Sequence, residues 1–330
     1  MLDEWLTAHV EGYRGPGRLT RLSGGQSNPT WRVDAPSGAY VLRQKPVGAV
    51  LPSAHAVDRE YRVMRALAGS DVPVPRVHAL CEDPAVLGSM FFVMECVQGR
   101  VLMDPRLPGL SAAERAGIFD GMNAAIAAIS MVDPVAVGLG DYGRHGGYVE
   151  RQVARWTKQY RASQTRDIPA MDALIDWLPQ NLPQAPEEVR IAHGDFRLDN
   201  LILHPTEPRV LAVVDWELST LGCPYADFAY NVMAWRIAPE LFRGLGGVPL
   251  AGTGIPTEDE YVQAWCRRTR RARPERFDFY IILSLFRIAA ILQGIARRAL
   301  DGTAADPNAA ELGARAAPLA EIARDMARRA

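Results

Sequence analysis

The chain has 330 residues, 48% hydrophobic and 23% charged, with 37 Lys+Arg against 38 Asp+Glu. That length supports one large domain or two lobes, each with its own core, and a formal net charge of −1 excludes recruitment of nucleic acid or an anionic membrane by global charge. Four scattered cysteines (Cys81, Cys96, Cys223, Cys266) with no C-x-x-C pair exclude a disulfide framework and a cysteine zinc site.

The start, Met1-Leu2-Asp3-Glu4-Trp5, is acidic where a secretory leader is basic, so a cytoplasmic protein is expected. Leu2 to Val10 has helical spacing. Arg18–Leu22, Thr30–Val33 and Ala39–Arg43 read as strands, and their short connections require antiparallel pairing. His55 to Ala68 follows as a helix, with Val57, Tyr61, Met64 and Leu67 at helical spacing and Glu60 among them, until Pro73 and Pro75 break it. Arg76–Cys81 and Met90–Cys96 are two more strands, and Gln98-Gly99-Arg100 is a hinge. The division expected is a strand-rich lobe over 1–97 and a helical lobe over 98–330. In the second lobe, Ser111-Ala112-Ala113-Glu114 is a capping box opening a helix to about Met131. Helices are expected over 148–162, 169–182 and 224–236, then a Gly/Pro-rich loop over 239–256, a helix capped by Thr257, and two long helices over about 274–300 and 308–329. The apolar run from Phe279 to Ala296 contains Arg287 and Gln293, and reads as a buried core helix, not a membrane span.

The chemistry concentrates in His193-Gly194-Asp195-Phe196-Arg197-Leu198-Asp199-Asn200 and Val213-Val214-Asp215-Trp216-Glu217. Leu201-Ile202-Leu203 and Val210 to Val214 are short apolar runs around Pro205 and Pro208, so they read as a hairpin of buried strands. The hairpin brings Asp195, Asn200 and Asp215 to one end. Two carboxylates and an amide oxygen form the ligand set that Mg²⁺ takes alongside phosphate oxygens. Asp-x4-Asn followed by a second Asp also matches the catalytic and metal segments of kinase-like phosphotransferases. Asp195 is suited to be the general base for a hydroxyl, with Asn200 and Asp215 on the metal. Asp and Asn are also ordinary turn formers, and the flanking His-Gly and apolar strands favour the functional reading. His193 and Asp227 read as structural braces, and Arg197 and Asp199 as substrate contacts or loop surface.

In the first lobe, Ser23-Gly24-Gly25-Gln26-Ser27-Asn28 lies between two strands. Its glycines let backbone N–H groups approach phosphate, and Ser27 and Asn28 add donors; an ordinary hairpin turn looks the same. Arg43 and Lys45 share a strand face if the strand continues, and either cation suits the α- and β-phosphates, with Glu60 as its pairing carboxylate. The backbone of Glu95 to Val97 is placed to hydrogen-bond adenine. The arginines of 267–273 suit a phosphorylated or CoA-bearing substrate, or simply a solvated helix end.

On these residues, with Gly222-Cys223-Pro224 and Asp227, the chain resembles the aminoglycoside phosphotransferase-like family over nearly its whole length. The stretches Tyr40 to Pro46, Leu51 to His55 and Arg59-Glu60-Tyr61 resemble the branch of kinase-like domains fused to acyl-CoA dehydrogenases. The resemblance implies an α+β, protein-kinase-like two-lobed fold, with an antiparallel-sheet N-lobe carrying one main helix and a mostly helical C-lobe. It implies ATP in the cleft, Mg²⁺ on Asn200 and Asp215, and Asp195 as base. The family's nucleotide-binding lysine corresponds to Arg43 here, which keeps the charge and can grip phosphate bidentately. The function expected is phosphoryl transfer from ATP to a hydroxyl on a small molecule, a hydroxy acid or hydroxyacyl-CoA by the closer branch. An aminoglycoside acceptor and a non-catalytic nucleotide-binding protein are the alternatives, and neither nucleic acid nor membrane is expected as a partner.

Overall fold

The computed structural model describes residues 1–22, 28–47, 56–184, 187–304 and 306–330. Among them, β1 (Arg18–Arg21), β2 (Thr30–Ala35), β3 (Gly38–Gln44), β4 (Val77–Cys81) and β5 (Phe91–Glu95) pair in the order β1-β2-β3-β5-β4, antiparallel throughout. Strand period two sorts the two faces. Tyr40 and Leu42 of β3, with Phe91 and Val93 of β5, pack under α1 (Leu2–His9) against Leu6 and Val10. Val41, Phe92 and Met94 point the other way, into the core that α2 (Val57–Leu67) shares with the rest of the chain. Arg43 follows Val41 on that second face. A short helix, α3 (Pro84–Leu87), fills the β4–β5 turn where the sequence reads only a turn, capped by Asp83, whose side chain accepts from the Ala85 N–H at 2.9 Å.

The stretch read from sequence as a hinge, Gln98-Gly99-Arg100, is paired with the chain at Leu203. Arg100 and Leu203 exchange two backbone hydrogen bonds of 2.9 Å. Gly99 is required there, because a Cβ would collide with the Leu203 carbonyl oxygen. α2 is tied down as well. Arg59 donates to the Tyr142 carbonyl at 2.8 Å with its guanidinium 4.1 Å above the Tyr142 ring, and the Tyr142 hydroxyl donates back to the Arg59 carbonyl.

The remainder is mostly helical: α4 (Ala112–Met131), α5 (Tyr148–Ser163), α6 (Pro169–Gln180), α7 (Pro224–Val232), α8 (Pro239–Phe242), α9 (Glu258–Thr269), α10 (Phe277–Leu300), α11 (Ala309–Ala314) and α12 (Ala316–Ala327). Both capping boxes, at Ser111/Glu114 and Thr257/Glu260, form as the sequence predicts. α10 is the central post, packed by α5, α6, α7, α11 and α12. It is long and apolar enough to cross a membrane, yet 83% of its apolar window is buried inside the protein. Stacked aromatics fill the space between α7 and α9, with the Phe228 and Trp265 rings 4.5 Å apart and nearly parallel.

Two expectations are corrected. The single helix expected over 308–329 is two, α11 and α12, meeting at Arg315. Pro318 has no N–H for the Ala314 carbonyl, which accepts from the Arg166 guanidinium instead. The loop over 239–256 includes the short α8. The strand pair β6 (Arg190–Ala192) and β9 (Thr220–Gly222) was not legible at three residues each. It sits beside the expected hairpin, β7 (Leu201–Leu203) with β8 (Val210–Val213).

Candidate active site

The loop from His193 to Asn200 runs from β6 into β7, so both its ends are anchored on sheet. Its backbone is clamped from below by Asp227 on α7, whose two carboxylate oxygens accept the His193 and Gly194 N–H groups, each at 2.8 Å. Burial pushes the Asp227 carboxyl up, while the His193 and Gly194 N–H donors pull it back. Gly194 has φ +84° and no room for a Cβ, which would lie 2.6 Å from the Leu218 carbonyl. His193 is fully buried. Its Nδ1 accepts the Asp195 N–H at 3.2 Å and its Nε2 donates to the Val214 carbonyl at 3.1 Å. Both ring nitrogens are spoken for, and they tie the loop to the segment carrying Asp215.

Asp195 presents its carboxylate at the top of this clamp, with the side chain 18% exposed. Oδ1 accepts the Tyr230 hydroxyl at 2.6 Å; Oδ2 faces Asn200 Nδ2 at 3.2 Å and Arg197 Nη2 at 3.3 Å. The Asn200 amide also donates to the Asp195 carbonyl at 2.8 Å. Its NH₂ group is therefore spent on Asp195, leaving the amide oxygen as the free coordinating atom.

Asp215 is brought alongside by the hairpin. The Val214 N–H donates to the Asn200 carbonyl at 2.9 Å, and Leu201 pairs with Val213. Asp215 itself is left-handed at φ +67°, a conformation that costs free energy for a residue with a Cβ. It is held by the buried Trp216, whose indole N–H donates to the Val213 carbonyl at 3.0 Å. The turn re-aims the carboxylate toward the first lobe, where Arg43 meets it at 2.6 Å.

Arg43 bridges the lobes. Its Nε lies 2.9 Å from Glu60 on α2, and Nη2 reaches both Asp215 and, at 3.6 Å, Glu217. Burial works against the guanidinium charge, and the three carboxylates outweigh it, so its pKa is raised. Glu60 is 2% exposed at the side chain, and Asn28 donates to it at 2.9 Å. Burial pushes its carboxyl up to about 7 against the pull of Arg43. Lys45 lies beyond the end of β3, with its N–H on the Met90 carbonyl, and no ion pair of its ammonium is found among the described residues.

The remaining residues singled out from sequence divide. Ser23, Gly24, Gly25 and Ser27 lie outside the described residues. The Glu95 N–H is spent on the Arg76 carbonyl at 2.8 Å, whereas no partner is found for the Val97 N–H among the described residues. Of the 267–273 arginines, Arg268 is paired with Asp120, Arg271 with Glu188 and Arg273 with Asp259. Tyr230 and Arg287 were not predicted to belong to the site, and Glu217 was named within its stretch without a role. The available signals were the position of Glu217 two residues after Asp215, that of Tyr230 three residues after Asp227, and a lone cation in the apolar run of α10.

Asn200 and Asp215 supply one amide oxygen and one carboxylate. Among the described residues, no group of three His, Cys, Asp or Glu side chains converges as a self-sufficient metal cage. Such a sparse oxygen set suits Mg²⁺, which keeps waters and takes much of its shell from phosphate oxygens. The residues therefore fit that ion as a companion of a bound nucleotide.

Beside Asp195 opens a small pocket of about 50 Å³. Arg197 and Tyr230, which hold the Asp195 carboxylate, form part of its wall; Met103, Phe119, Trp235 and Phe242 make much of the rest. Its one carboxylate, Asp199, is already paired with Arg197 and Arg243.

Comparisons with known proteins agree with this architecture. The chain is 52% identical to a Ralstonia eutropha protein solved as a candidate aminoglycoside phosphotransferase, with a TM-score of 0.93 over 99% of this chain and 97% of that one. A thermostable variant of the aminoglycoside phosphotransferase APH(4)-Ia, in ternary complex with ADP and hygromycin B, shares the fold at a TM-score of 0.62 and 17% identity, over 98% of each chain. Mouse acyl-CoA dehydrogenase family member 10 is 45% identical over 95% of this chain and 29% of its own length. Human acyl-CoA dehydrogenase family member 11 is 38% identical over 99% of this chain and 43% of its own length. The chain thus spans less than half of these curated relatives. The model of the phosphotransferase enzyme family matches residues 18–277, a span that takes in both the five-stranded sheet and the Asp195–Asn200–Asp215 cluster. With most of its length inside that match and a kinase-like fold around the cluster, this chain belongs to the phosphotransferase enzyme family.

Proposed function

We propose that the chain is an ATP- and Mg²⁺-dependent phosphotransferase that moves the γ-phosphate of ATP to a hydroxyl of a small molecule. Residues 1–97 act as the nucleotide-binding lobe and 98–330 as the catalytic lobe. Asp195 takes the proton of the acceptor hydroxyl as its oxygen bonds to the γ-phosphorus, and the β–γ bridging oxygen leaves with ADP. Arg43 binds the α- and β-phosphates, with Glu60 fixing its direction. The strand end at Glu95 to Val97 receives adenine. Asn200 and Asp215 hold Mg²⁺, which when bound neutralises charge on the phosphate oxygens. Complexes of solved relatives with ADP and with AMP-PNP support the choice of nucleotide. A cytoplasmic location is consistent with this reading.

The observation that carries the acceptor class is the pocket beside Asp195. An aminoglycoside is a polycation and needs unpaired carboxylates to receive it. Here the lining is apolar, two arginines are present, and the single carboxylate is consumed by them. That chemistry disfavours a polycation and favours a hydroxyl on an aliphatic skeleton, as in a hydroxy acid or hydroxyacyl-CoA. The test is ATP consumption with hydroxy acids, their CoA esters and aminoglycosides as acceptors. Turnover with the first two classes is expected, and turnover with aminoglycosides alone would overturn the acceptor assignment.

The choice between the two cations is testable in the same protein. Arg43→Met is expected to weaken ATP binding about 10- to 100-fold, the worth of a charge-assisted contact. Arg43→Lys should recover most of that loss, and Lys45→Met should change affinity by no more than about twofold. Calorimetric titration with ATP and Mg²⁺ reads all three; equal losses at both positions would reassign the phosphate contact.

A further inference from the structure

Two side chains of α7 meet the Asp195 loop, and they are three residues apart, hence on one helix face. Asp227 fixes the backbone at its His193 and Gly194 N–H groups, and Tyr230 fixes the carboxylate itself through the 2.6 Å bond to Oδ1. Tyr230 is 3% exposed. Burial first and then the Asp195 charge hold its phenol well above the ordinary range, so it stays a donor. Behind it stands Arg287 of α10, with its guanidinium 4.6 Å from the Tyr230 ring centroid and 5.2 Å from that of Trp156. The same guanidinium donates to the Gly194 carbonyl. A half-buried cation in the middle of an apolar helix is costly unless it is paired, and here its partners are the loop backbone and two aromatic faces.

We propose that Tyr230, braced by Arg287, is a positioning residue that sets the direction of the Asp195 carboxylate toward the acceptor pocket whose wall it also lines. A carboxylate with one oxygen pinned to a rigid helix keeps a single rotamer, and phosphoryl transfer is governed by such placement. The role rests on the reading of Asp195 as the base.

The experiment follows ADP formation from Mg·ATP with water as acceptor, in the full chain. Tyr230→Phe is expected to lower kcat about 10- to 100-fold while KM for ATP and the thermal midpoint stay put. In an Asp195→Asn background the same substitution should have no further effect. A second readout needs no turnover. The tyrosine ¹³Cζ resonance that disappears in Tyr230→Phe should shift when Asp195→Asn removes the neighbouring charge. An unchanged kcat in Tyr230→Phe, an equal loss in both backgrounds, or an unmoved resonance would each overturn the positioning role while leaving Asp195 as base. Undiminished turnover in Asp195→Asn alone would overturn the base assignment, and the positioning role with it.

Discussion

Asp195→Asn is expected to bind Mg·ATP with unchanged affinity and to lose phosphoryl transfer by about two to four orders of magnitude, the range for removal of a general base. The change is nearly isosteric. The amide oxygen can still accept the Tyr230 hydroxyl bond now at 2.6 Å, and the backbone stays clamped by Asp227. What disappears is the feature the proposed chemistry asks of Asp195, a carboxylate able to take the hydroxyl proton. Affinity should hold because the residues proposed to hold the nucleotide and its cation include Arg43 and Asp215, whose 2.6 Å ion pair does not involve Asp195. Single-turnover transfer and equilibrium nucleotide titration together check the split. Normal transfer by the variant would move the base elsewhere.

The second large effect is expected at Asp215. Asp215→Ala removes the only carboxylate proposed on the cation and should weaken Mg²⁺-dependent ATP binding about 100-fold or more, since even residues that merely orient metal ligands cost that much. Binding of ATP without Mg²⁺ should change little, because Arg43 keeps its contact to buried Glu60 at 2.9 Å. The fold should survive: Trp216 anchors the turn through its own bond to the Val213 carbonyl, and the left-handed backbone at 215 tolerates the smaller side chain only slightly worse. Titration with ATP at varied Mg²⁺ gives the answer, and an undiminished Mg²⁺ effect would take Asp215 out of the cation site.

Much of this site was legible because its parts are local. Asp195 and Asn200 are five residues apart, and the hairpin that returns Asp215 is announced by two apolar runs around prolines. Arg43 was legible as a candidate through period two on β3, which places it on the Val41 face opposite Leu42. Its rivalry with Lys45 was not decidable that way, since alternate residues share a face only while the strand lasts, and β3 ends at Gln44. The three-residue strands β6 and β9 carry too few residues for any periodicity to show. The break between α11 and α12 had a visible cause in Pro318, but a proline in a first helical turn and one that ends a helix look alike in a sequence.

By itself, then, the sequence determined the family: two short polar knots on β-strands and a strand-rich lobe ahead of them are the pattern of the phosphotransferase enzyme family. Tertiary structure alone decided which distant side chains meet around those knots. Arg43 reaches Asp215 across 172 residues, Tyr230 reaches Asp195 across 35, and Arg287 reaches Gly194 across 93. Side chains so far apart in sequence leave no periodic trace, because their meeting is set by how sheet and helices pack and not by either segment's own conformation. The pocket beside Asp195 is of the same kind. Its apolar walls come from four separate segments, and its charge depends on Asp199 having found Arg197 and Arg243.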